Sequence, residues 1–200
     1  MNILKKIRRA YKFYFTSRKW RVRNKHNHTY CANSIKDSLF PLDKVHVGEY
    51  TYGPLRVIPY SIYDADLYIG NFCSIASDVC FLLGGEHDYH HLSTYPFKAM
   101  LLGQDEAISK GDIIIEDDVW IGRSSIVLSG VTLARGTIVA AGSVVVKSTE
   151  PYSIVGGNPA ILIKKRFTKS TIDKLMRIPF NNWDEKYILE NLDKIYEELE

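Results

Sequence analysis

Three histidines stand within five residues of one another, in a segment that also carries two carboxylates, and they are well suited to move a proton near neutral pH. An imidazole has an unperturbed pKa of about 6.5, so it can act as a general base for a weak nucleophile such as a hydroxyl. A metal site is the competing interpretation, but adjacent His90 and His91 are poorly arranged around one ion, and no cysteine accompanies them. From the residues alone, histidines of a surface loop are the simpler interpretation, and no metal is expected. If the segment transfers a proton, His87, His90 and His91 are its candidates.

A catalytic base also needs a group that orients its ring. Glu86 and Asp88 flank His87 directly, although adjacent residues seldom reach back well, and a backbone carbonyl can fill the same role. Tyr89 follows in the same segment and adds an aromatic hydroxyl. The sequence does not decide which of these groups orients the histidine ring.

The element that must position this segment is defined by a six-residue repeat over residues 115–150. A period of six matches neither the 3.6 residues of a helix nor the two of an ordinary strand. It predicts an all-β solenoid, a parallel β-helix in which three hexads form one triangular coil and coils stack about 4.8 Å apart. The aliphatic residues that open the hexads are Ile115, Ile121, Val127, Leu133, Val139 and Val145. The small or β-branched residues four places later are Val119, Ser125, Val131, Thr137, Ser143 and Thr149.

Earlier hexads open at Ile69 and Ile75, and Tyr63 stands one period before them, so we expect the prism to begin near Val45. Residues 82–114 interrupt the repeat and contain the three histidines. A loop of this length adds no core to a solenoid and is usually functional. Chemistry is therefore expected in this extruded loop.

Composition favours one compact protein. The hydrophobic content is 46%, enough for a sizeable core in 200 residues, and no apolar run reaches the roughly 18 residues that span a bilayer. Cys31, Cys73 and Cys80 form no pair pattern, which argues against a disulfide frame or a zinc site and favours a cytoplasmic location.

Charge is concentrated at the N-terminus, because residues 1–28 hold ten Lys or Arg and no Asp or Glu. Apolar and basic residues alternate there at helical spacing, which predicts a basic amphipathic helix. Two interpretations stay open: a helix packed on the end of the solenoid or on another subunit, and a helix that contacts an anionic membrane surface. Nucleic acid is not expected as a partner, since no binding module accompanies the charge.

After the repeat the sequence pattern changes from hexads to predicted helices. Thr168 and Asp184 are placed to cap two helices, which we expect to cover the last coil and protect its open ladder. The chain then divides into a basic extension over residues 1–44, a solenoid domain over residues 45–166 and C-terminal capping helices over residues 167–200.

Two strings complete the pattern: Gly-Asp-Ile-Ile-Ile-Glu-Asp-Asp-Val-Trp-Ile-Gly at residues 111–122, and Tyr-Ser-Ile-Val-Gly-Gly-Asn-Pro-Ala at residues 152–160, followed shortly by Lys-Lys-Arg-Phe. With the hexads, they resemble the hexapeptide-repeat acyltransferases, and within them the xenobiotic branch with its streptogramin and type B chloramphenicol acetyltransferases. The resemblance runs from about residue 45 to the C-terminus. It implies a left-handed parallel β-helix, a homotrimer with sites between neighbouring subunits, and acetyl transfer from acetyl-CoA to a hydroxyl.

The resemblance also implies roles for individual residues. The family's catalytic histidine matches His87, and a tryptophan of its active-site wall matches Trp120. Lys164 and Lys165 follow the second string and could pair with the phosphates of CoA. The small-residue turns that would hold the pantetheine arm correspond to Ala140, Ala141, Gly142, Gly156, Gly157, Asn158 and Pro159.

The sequence gives weaker evidence for the compound that accepts the acetyl group. The long basic leader and the shorter loop after Phe97 differ from the antibiotic-modifying relatives, and several tyrosines could line a sugar site. We expect a sugar hydroxyl of a surface-polysaccharide precursor, which, if it is linked to lipid, would be acetylated at the cytoplasmic face of the membrane. The alternatives are an antibiotic hydroxyl and the amino group of an amino sugar. The tyrosines in question are Tyr50, Tyr52, Tyr60, Tyr63 and Tyr89.

Overall fold

The computed structural model describes residues 3–34, 37, 39–60 and 65–199, so Tyr63 lies outside the described residues. The helices are α1 Ile3–Arg23, α2 Phe97–Leu102, α3 Lys169–Leu175, α4 Glu185–Glu190 and α5 Leu192–Ile195, with 3-10 turns at Leu42–Lys44 and Phe180–Asn182. The strands before the loop are β1 His28–Cys31, β2 Val45–Val47, β3 Tyr52–Ile58, β4 Leu67–Ile69, β5 Ser74–Ile75 and β6 Cys80–Leu82. Those after it are β7 Ile113–Ile115, β8 Trp120–Ile121, β9 Ile126–Leu128, β10 Thr132–Leu133, β11 Ile138–Val139, β12 Val144–Val145, β13 Ser153–Gly157 and β14 Ala160–Lys165.

These strands form three parallel ladders, which are the three faces of a prism. The first face runs β1-β3-β5-β8-β11-β13 and ends on the antiparallel strand β14. The second runs β2-β4-β7-β10, and the third runs β3-β6-β9-β12. Successive strands pass from the second face to the first and then to the third, so each coil closes around the core. The predicted coiled parallel β-structure is confirmed, and it begins at Val45 on the second face; on the first face β1 extends it back to His28.

The repeat fixes both the core and the corners. From Ile115 to Val145, each aliphatic residue that opens a hexad is at most 2% exposed. The residues four places later are buried at the corners, except for the half-buried Thr149. There Ser125 and Ser143 donate to the carbonyls of Gly122 and Ala140 at 2.8 and 2.6 Å. These short hydroxyls satisfy carbonyls that the ladders leave unpaired.

The turns within the hexads share one backbone conformation. A residue with positive φ recurs every six positions, at Asp118, Ser124, Gly130, Gly136 and Gly142, with φ between 58° and 75°. Glycine adopts this left-handed conformation without steric cost, which explains why three of the five turns carry it.

The loop is inserted without disturbing the stack. Ladder partners in an uninterrupted coil, such as Ile115 and Leu133, are 18 residues apart. Across the loop, Ile69 and Ile115 are partners although 46 residues separate them, so 28 residues leave the prism and return in register.

The C-terminal helices begin where the sequence predicts. Thr168 Oγ1 accepts the amide of Thr171, and Asp184 Oδ1 accepts the amide of Tyr187 at 2.7 Å. Their contacts place this segment along one corner of the prism, where the ring of Phe180 packs on Phe72 at 5.8 Å. The expectation that these helices cover the last coil is therefore not met by these contacts.

The end of the last coil is closed by other groups. Ser148 and Thr149 accept the amides of Thr132 and Ala134 at the end of the second face. On the first face, β14 covers β13. A turn and a hairpin therefore occupy ladder edges that were expected to need helices.

Candidate active site

The neck of the loop is pinned by a short antiparallel bridge. Leu83 continues the third face and donates its amide to the carbonyl of Ile58, after which Gly84 and Gly85 turn the chain outward with positive φ. Glu86 and Ile108 then exchange backbone hydrogen bonds at 3.1 and 2.8 Å. His87 is the first residue beyond this bridge, so its backbone is anchored although its side chain is exposed.

The ring of His87 is oriented by a backbone carbonyl. Its Nδ1 lies 2.6 Å from the carbonyl oxygen of Thr94, an acceptor only, so Nδ1 carries the hydrogen and donates it. In the neutral ring Nε2 is then the proton acceptor. The pairing crosses seven residues of loop, and no spacing in the sequence indicated Thr94.

The neighbouring acidic residues have other partners. Glu86 pairs with Lys110 at 2.8 Å. Asp88 accepts from His90 Nδ1 at 2.8 Å and lies 3.4 Å from His91 Nε2, and hydrogen bonds from the backbone and ring of His90 lower the pKa of Asp88. In these contacts neither Glu86 nor Asp88 orients His87, and Asp88 instead pairs with His90 and His91.

A cavity of about 310 Å³ opens beside His87. Its wall combines carboxylates, hydroxyls and a lysine with the start of α2. The residues that line it include His87, Asp88, Ser93, Thr94, Lys98, Asp105 and Glu106. The wall also includes Tyr95, Pro96 and Ile108, so it combines an apolar surface with groups that can bind several hydroxyls of one ligand.

The aromatic residues flagged in the sequence are dispersed. The ring of Tyr60 lies against Gly85 at the loop neck, so closely that a Cβ at Gly85 would come within 2.4 Å of it. Tyr89 is 75% exposed and packs on His90, whereas Tyr50 stacks on Phe72 at another corner. Tyr52 is exposed on the first face.

The two predicted cofactor turns lie side by side. The amide of Ala140 donates to the carbonyl of Val155, and the amide of Gly157 lies 3.3 Å from Ser143 Oγ. Ala141, Gly142, Gly157, Asn158 and Pro159 are all exposed, and Gly156 is buried beneath them. A Cβ built on Gly142 meets nothing within 4 Å, so the surface above these turns has room for a slender ligand.

The two lysines after the turns differ. Lys165 is held by Glu150 at 2.7 Å, the carbonyl of Pro151 at 3.2 Å and Ser153 Oγ at 3.1 Å. Lys164 is exposed on β14. Of the two, Lys164 is the ammonium available to an added phosphate.

Trp120 lies on β8, in the middle of the first face, and is 54% exposed. Within the described part of the chain, no hydrogen bond or ring contact joins Trp120 or the cofactor turns to the histidine loop. One protomer therefore brings the turns together but leaves them apart from His87.

The thiols and the acidic groups offer no second chemistry. Cys31, Cys73 and Cys80 are buried, and burial raises the pKa of Cys31 and Cys73 to about 12. Such thiols are poor nucleophiles near neutral pH. Over residues 3–34, 37, 39–60 and 65–199, no cluster of three His, Cys, Asp or Glu could hold a metal ion.

Known proteins match this architecture. Residues 112–147 match the family model described as bacterial transferase hexapeptide (six repeats). A probable macrolide acetyltransferase of Lysinibacillus sphaericus is 41% identical over 67% of this chain and 79% of its own length. A chloramphenicol acetyltransferase of Klebsiella aerogenes is 40% identical over 58% of this chain, which spans 60% of that protein. The solved maltose O-acetyltransferase of Clostridium difficile 630 is 26% identical, covers 70% of this chain and 65% of its own, and superposes with a TM-score of 0.50.

The chain therefore belongs to the hexapeptide-repeat acyltransferases, within the xenobiotic acetyltransferase branch that the resemblance indicated. The protein is therefore an acyltransferase. The family's structures imply that the coils are left-handed.

Proposed function

We propose that this protein is an acetyl-CoA-dependent O-acetyltransferase that acetylates a sugar hydroxyl of a surface-polysaccharide precursor, with His87 as general base. The observation that carries the proposal is the hydrogen bond from His87 Nδ1 to the Thr94 carbonyl, beside a cavity of about 310 Å³. This bond fixes the tautomer with a free Nε2, the form that a base requires.

The proposed reaction needs one proton relay. Nε2 of His87 accepts the proton of the acceptor hydroxyl as the hydroxyl oxygen bonds to the acyl carbon. The imidazolium, whose other N–H stays on Thr94, then returns that proton to the departing thiolate. Acetyl-CoA supplies the activated acyl group as a thioester. No covalent enzyme intermediate is needed, in keeping with the buried thiols.

The residues that would hold acetyl-CoA are those of the exposed turns at Ala140–Gly142 and Gly156–Pro159. Open space above Gly142 and free small side chains fit the pantetheine arm. Lys164 is the candidate partner for a phosphate, whereas Lys165 would first have to leave Glu150.

We place the complete site between subunits of a homotrimer. Trp120 and the cofactor turns are exposed on surfaces that the histidine loop of the same chain does not contact. A neighbouring subunit can bring its loop to them, with Trp120 as part of the wall.

The acceptor assignment rests on the lining of the cavity. Asp88, Glu106 and Ser93 present acceptors and hydroxyls suited to a polyhydroxyl ligand. Glu86 and Tyr89 lie close to His87 in the sequence and are further candidates for acceptor binding. The maltose O-acetyltransferase neighbour also acts on a sugar. A lipid-linked precursor would place the enzyme peripherally at the cytoplasmic face of a membrane.

Antibiotic O-acetylation is the second candidate. It is favoured by the names of the macrolide and chloramphenicol acetyltransferase relatives. An acceptor screen with labelled acetyl-CoA decides between the candidates by comparing nucleotide sugars and lipid-linked glycans with macrolides, chloramphenicol and streptogramins. Transfer to glycans alone supports the proposal, and transfer to an antibiotic alone rejects it.

A further inference from the structure

Helix α1 has one face that the rest of the chain already occupies. Trp20 is fully buried, packs edge-on against Phe40 at 5.0 Å and donates its indole N–H to Thr29 Oγ1 at 3.2 Å. Arg9 donates to the backbone carbonyl of Asp37. The half-buried residues of this face share helical spacing and are Arg9, Phe13, Thr16 and Ser17. This face anchors α1 on the N-terminal end of the solenoid.

The opposite face of α1 is apolar and exposed. Successive residues of a helix turn by about 100°, so Ile7, Tyr11 and Tyr14 point roughly away from Trp20 and Phe13. The exposed apolar side chains on and beside this outer face are Ile3, Leu4, Ile7, Tyr11, Tyr14, Phe15 and Val22, at 37–73% exposure. Phe15 lies 4.4 Å from the ring of Tyr11 and 5.6 Å from that of Tyr14. From Ile3 to Phe15 the outer face is therefore an aliphatic and aromatic stripe.

Positive charge surrounds the outer face. The helix carries nine Lys or Arg and no acidic residue. Among the residues that the structure describes, the one ion pair from this helix joins Arg23 to Asp43 at 3.4 Å. Arg8, Arg18 and Arg21 are exposed on or beside the outer face. Their charge is thus available to an anionic partner.

We propose that the outer face of α1 docks on the surface of an anionic lipid bilayer, with the helix lying in the plane of the headgroups. The apolar residues of the outer face suit the boundary of the acyl chains, and its tyrosines suit the headgroup region. The flanking cations suit the negative charge of the lipid headgroups. Over the described residues, no helix combines the length and the hydropathy needed to span a bilayer.

Charge favours lipid over a second copy of the chain. Two such faces in contact would bring two sets of nine cations together and repel. An anionic bilayer instead neutralises them. The inference concerns α1 alone and holds for a sugar, lipid-linked or antibiotic acceptor.

Flotation of the full chain with vesicles tests the inference. We compare vesicles of phosphatidylcholine alone with vesicles that contain 30 mol% phosphatidylglycerol, a composition chosen to be about one-third anionic. The wild-type chain is expected to float with the anionic vesicles and to be released by high salt. Ile7→Glu is expected to weaken binding about tenfold or more, because it places a carboxylate in the apolar stripe.

Leu189→Glu is the matched control, since Leu189 is 62% exposed and Ile7 is 61% exposed, and both substitutions add one negative charge. It should bind vesicles as the wild type does. Thermal unfolding of both variants shows that the fold is intact. The inference is wrong if the wild-type chain ignores anionic vesicles, if Ile7→Glu binds as well as Leu189→Glu, or if light scattering shows that Ile7→Glu only dissociates an oligomer. Acetyl transfer to a soluble acceptor, measured without vesicles, separates these outcomes from a failure of the proposed reaction.

Discussion

The coils and the extruded loop of this protein differ in how far their side chains are buried and in how many contacts hold them. In the coils, every residue that opens a hexad is enclosed by the core, and each corner is repeated by the coil above or below. In the loop, Tyr89, Leu92 and Leu101 are at least 75% exposed, and the neck is held by one backbone bridge and the pair of Glu86 with Lys110. The coils therefore set stability, and the loop can be devoted to chemistry.

The sharpest test of this division is His87→Ala. We expect acetyl transfer to fall by about 10²–10⁴-fold, because a positioned general base contributes that much, while CoA binding and the unfolding temperature stay unchanged. His90→Ala is the matched control, since that ring is bound to Asp88 and not to the Thr94 carbonyl. Initial rates with labelled acetyl-CoA measure both variants. Undiminished transfer by His87→Ala, or an equal loss in His90→Ala, would reject His87 as the base.

The converse test removes core from a coil. Leu133 is fully buried, so Leu133→Ala should lower the free energy of unfolding by about 2–5 kcal/mol. Leu92→Ala, in the loop, should change it by less than about 0.5 kcal/mol because Leu92 is fully exposed. Denaturant titration measures both changes. Equal losses would show that the loop shares the cooperative core.

Two glycines sharpen the same comparison at matched backbone conformation. Gly136, at a coil corner, has φ +69°, and Gly103, at the end of α2 in the loop, has φ +70°. A Cβ at Gly136 would come within 2.4 Å of the Tyr152 ring, whereas one at Gly103 meets nothing within 4 Å. We expect Gly136→Ala to cost about 2–4 kcal/mol of unfolding free energy and Gly103→Ala about 1 kcal/mol. If the two variants melt together, close packing at the corner is not what requires glycine.

The smallest effect concerns ion pairs and depends on pH. Arg56, on β3, binds both oxygens of Asp37 at 2.9 and 3.0 Å and lowers the pKa of that carboxyl to about 2. The bond stabilises the fold fully above the unfolded pKa near 4 and is lost as pH falls through about 2. Asp37→Asn should therefore cost about 1–2 kcal/mol near pH 7, and progressively less below pH 4.

The loop again supplies the control. Glu86→Gln breaks a pair whose Lys110 partner is 62% exposed, so the loss should be about 0.5 kcal/mol or less. Urea unfolding at pH 7 and pH 3 measures both variants. A constant cost of Asp37→Asn across that range would contradict the assignment of its pKa.

The same division explains what the sequence could predict. Periodic structure is local, so the hexads identified the buried residues of the coils and their corners, and Thr168 and Asp184 marked two helix starts correctly. The family resemblance, confirmed by the relatives, singled out His87 as a candidate that remains to be tested.

The contacts of His87 and Lys165 depend on the conformation of segments outside the six-residue repeat. The Thr94 carbonyl that holds His87 is a backbone group, which every residue offers, so no residue type could point to it. Lys165 reads as a free cation until β14 folds back and brings it to Glu150 and Ser153. The two faces of α1 also depend on where Trp20 is buried, since the pattern of the helix alone allows either face to pack.

The return of the chain to register after 28 extra residues has an evolutionary consequence. Ile69 and Ile115 pair as neighbouring coils do without an insertion. The length and the lining residues of the loop can therefore change while the contacts between coils stay the same. Under the proposed function, exchanging this one insert would change the acceptor without a compensating change in any coil.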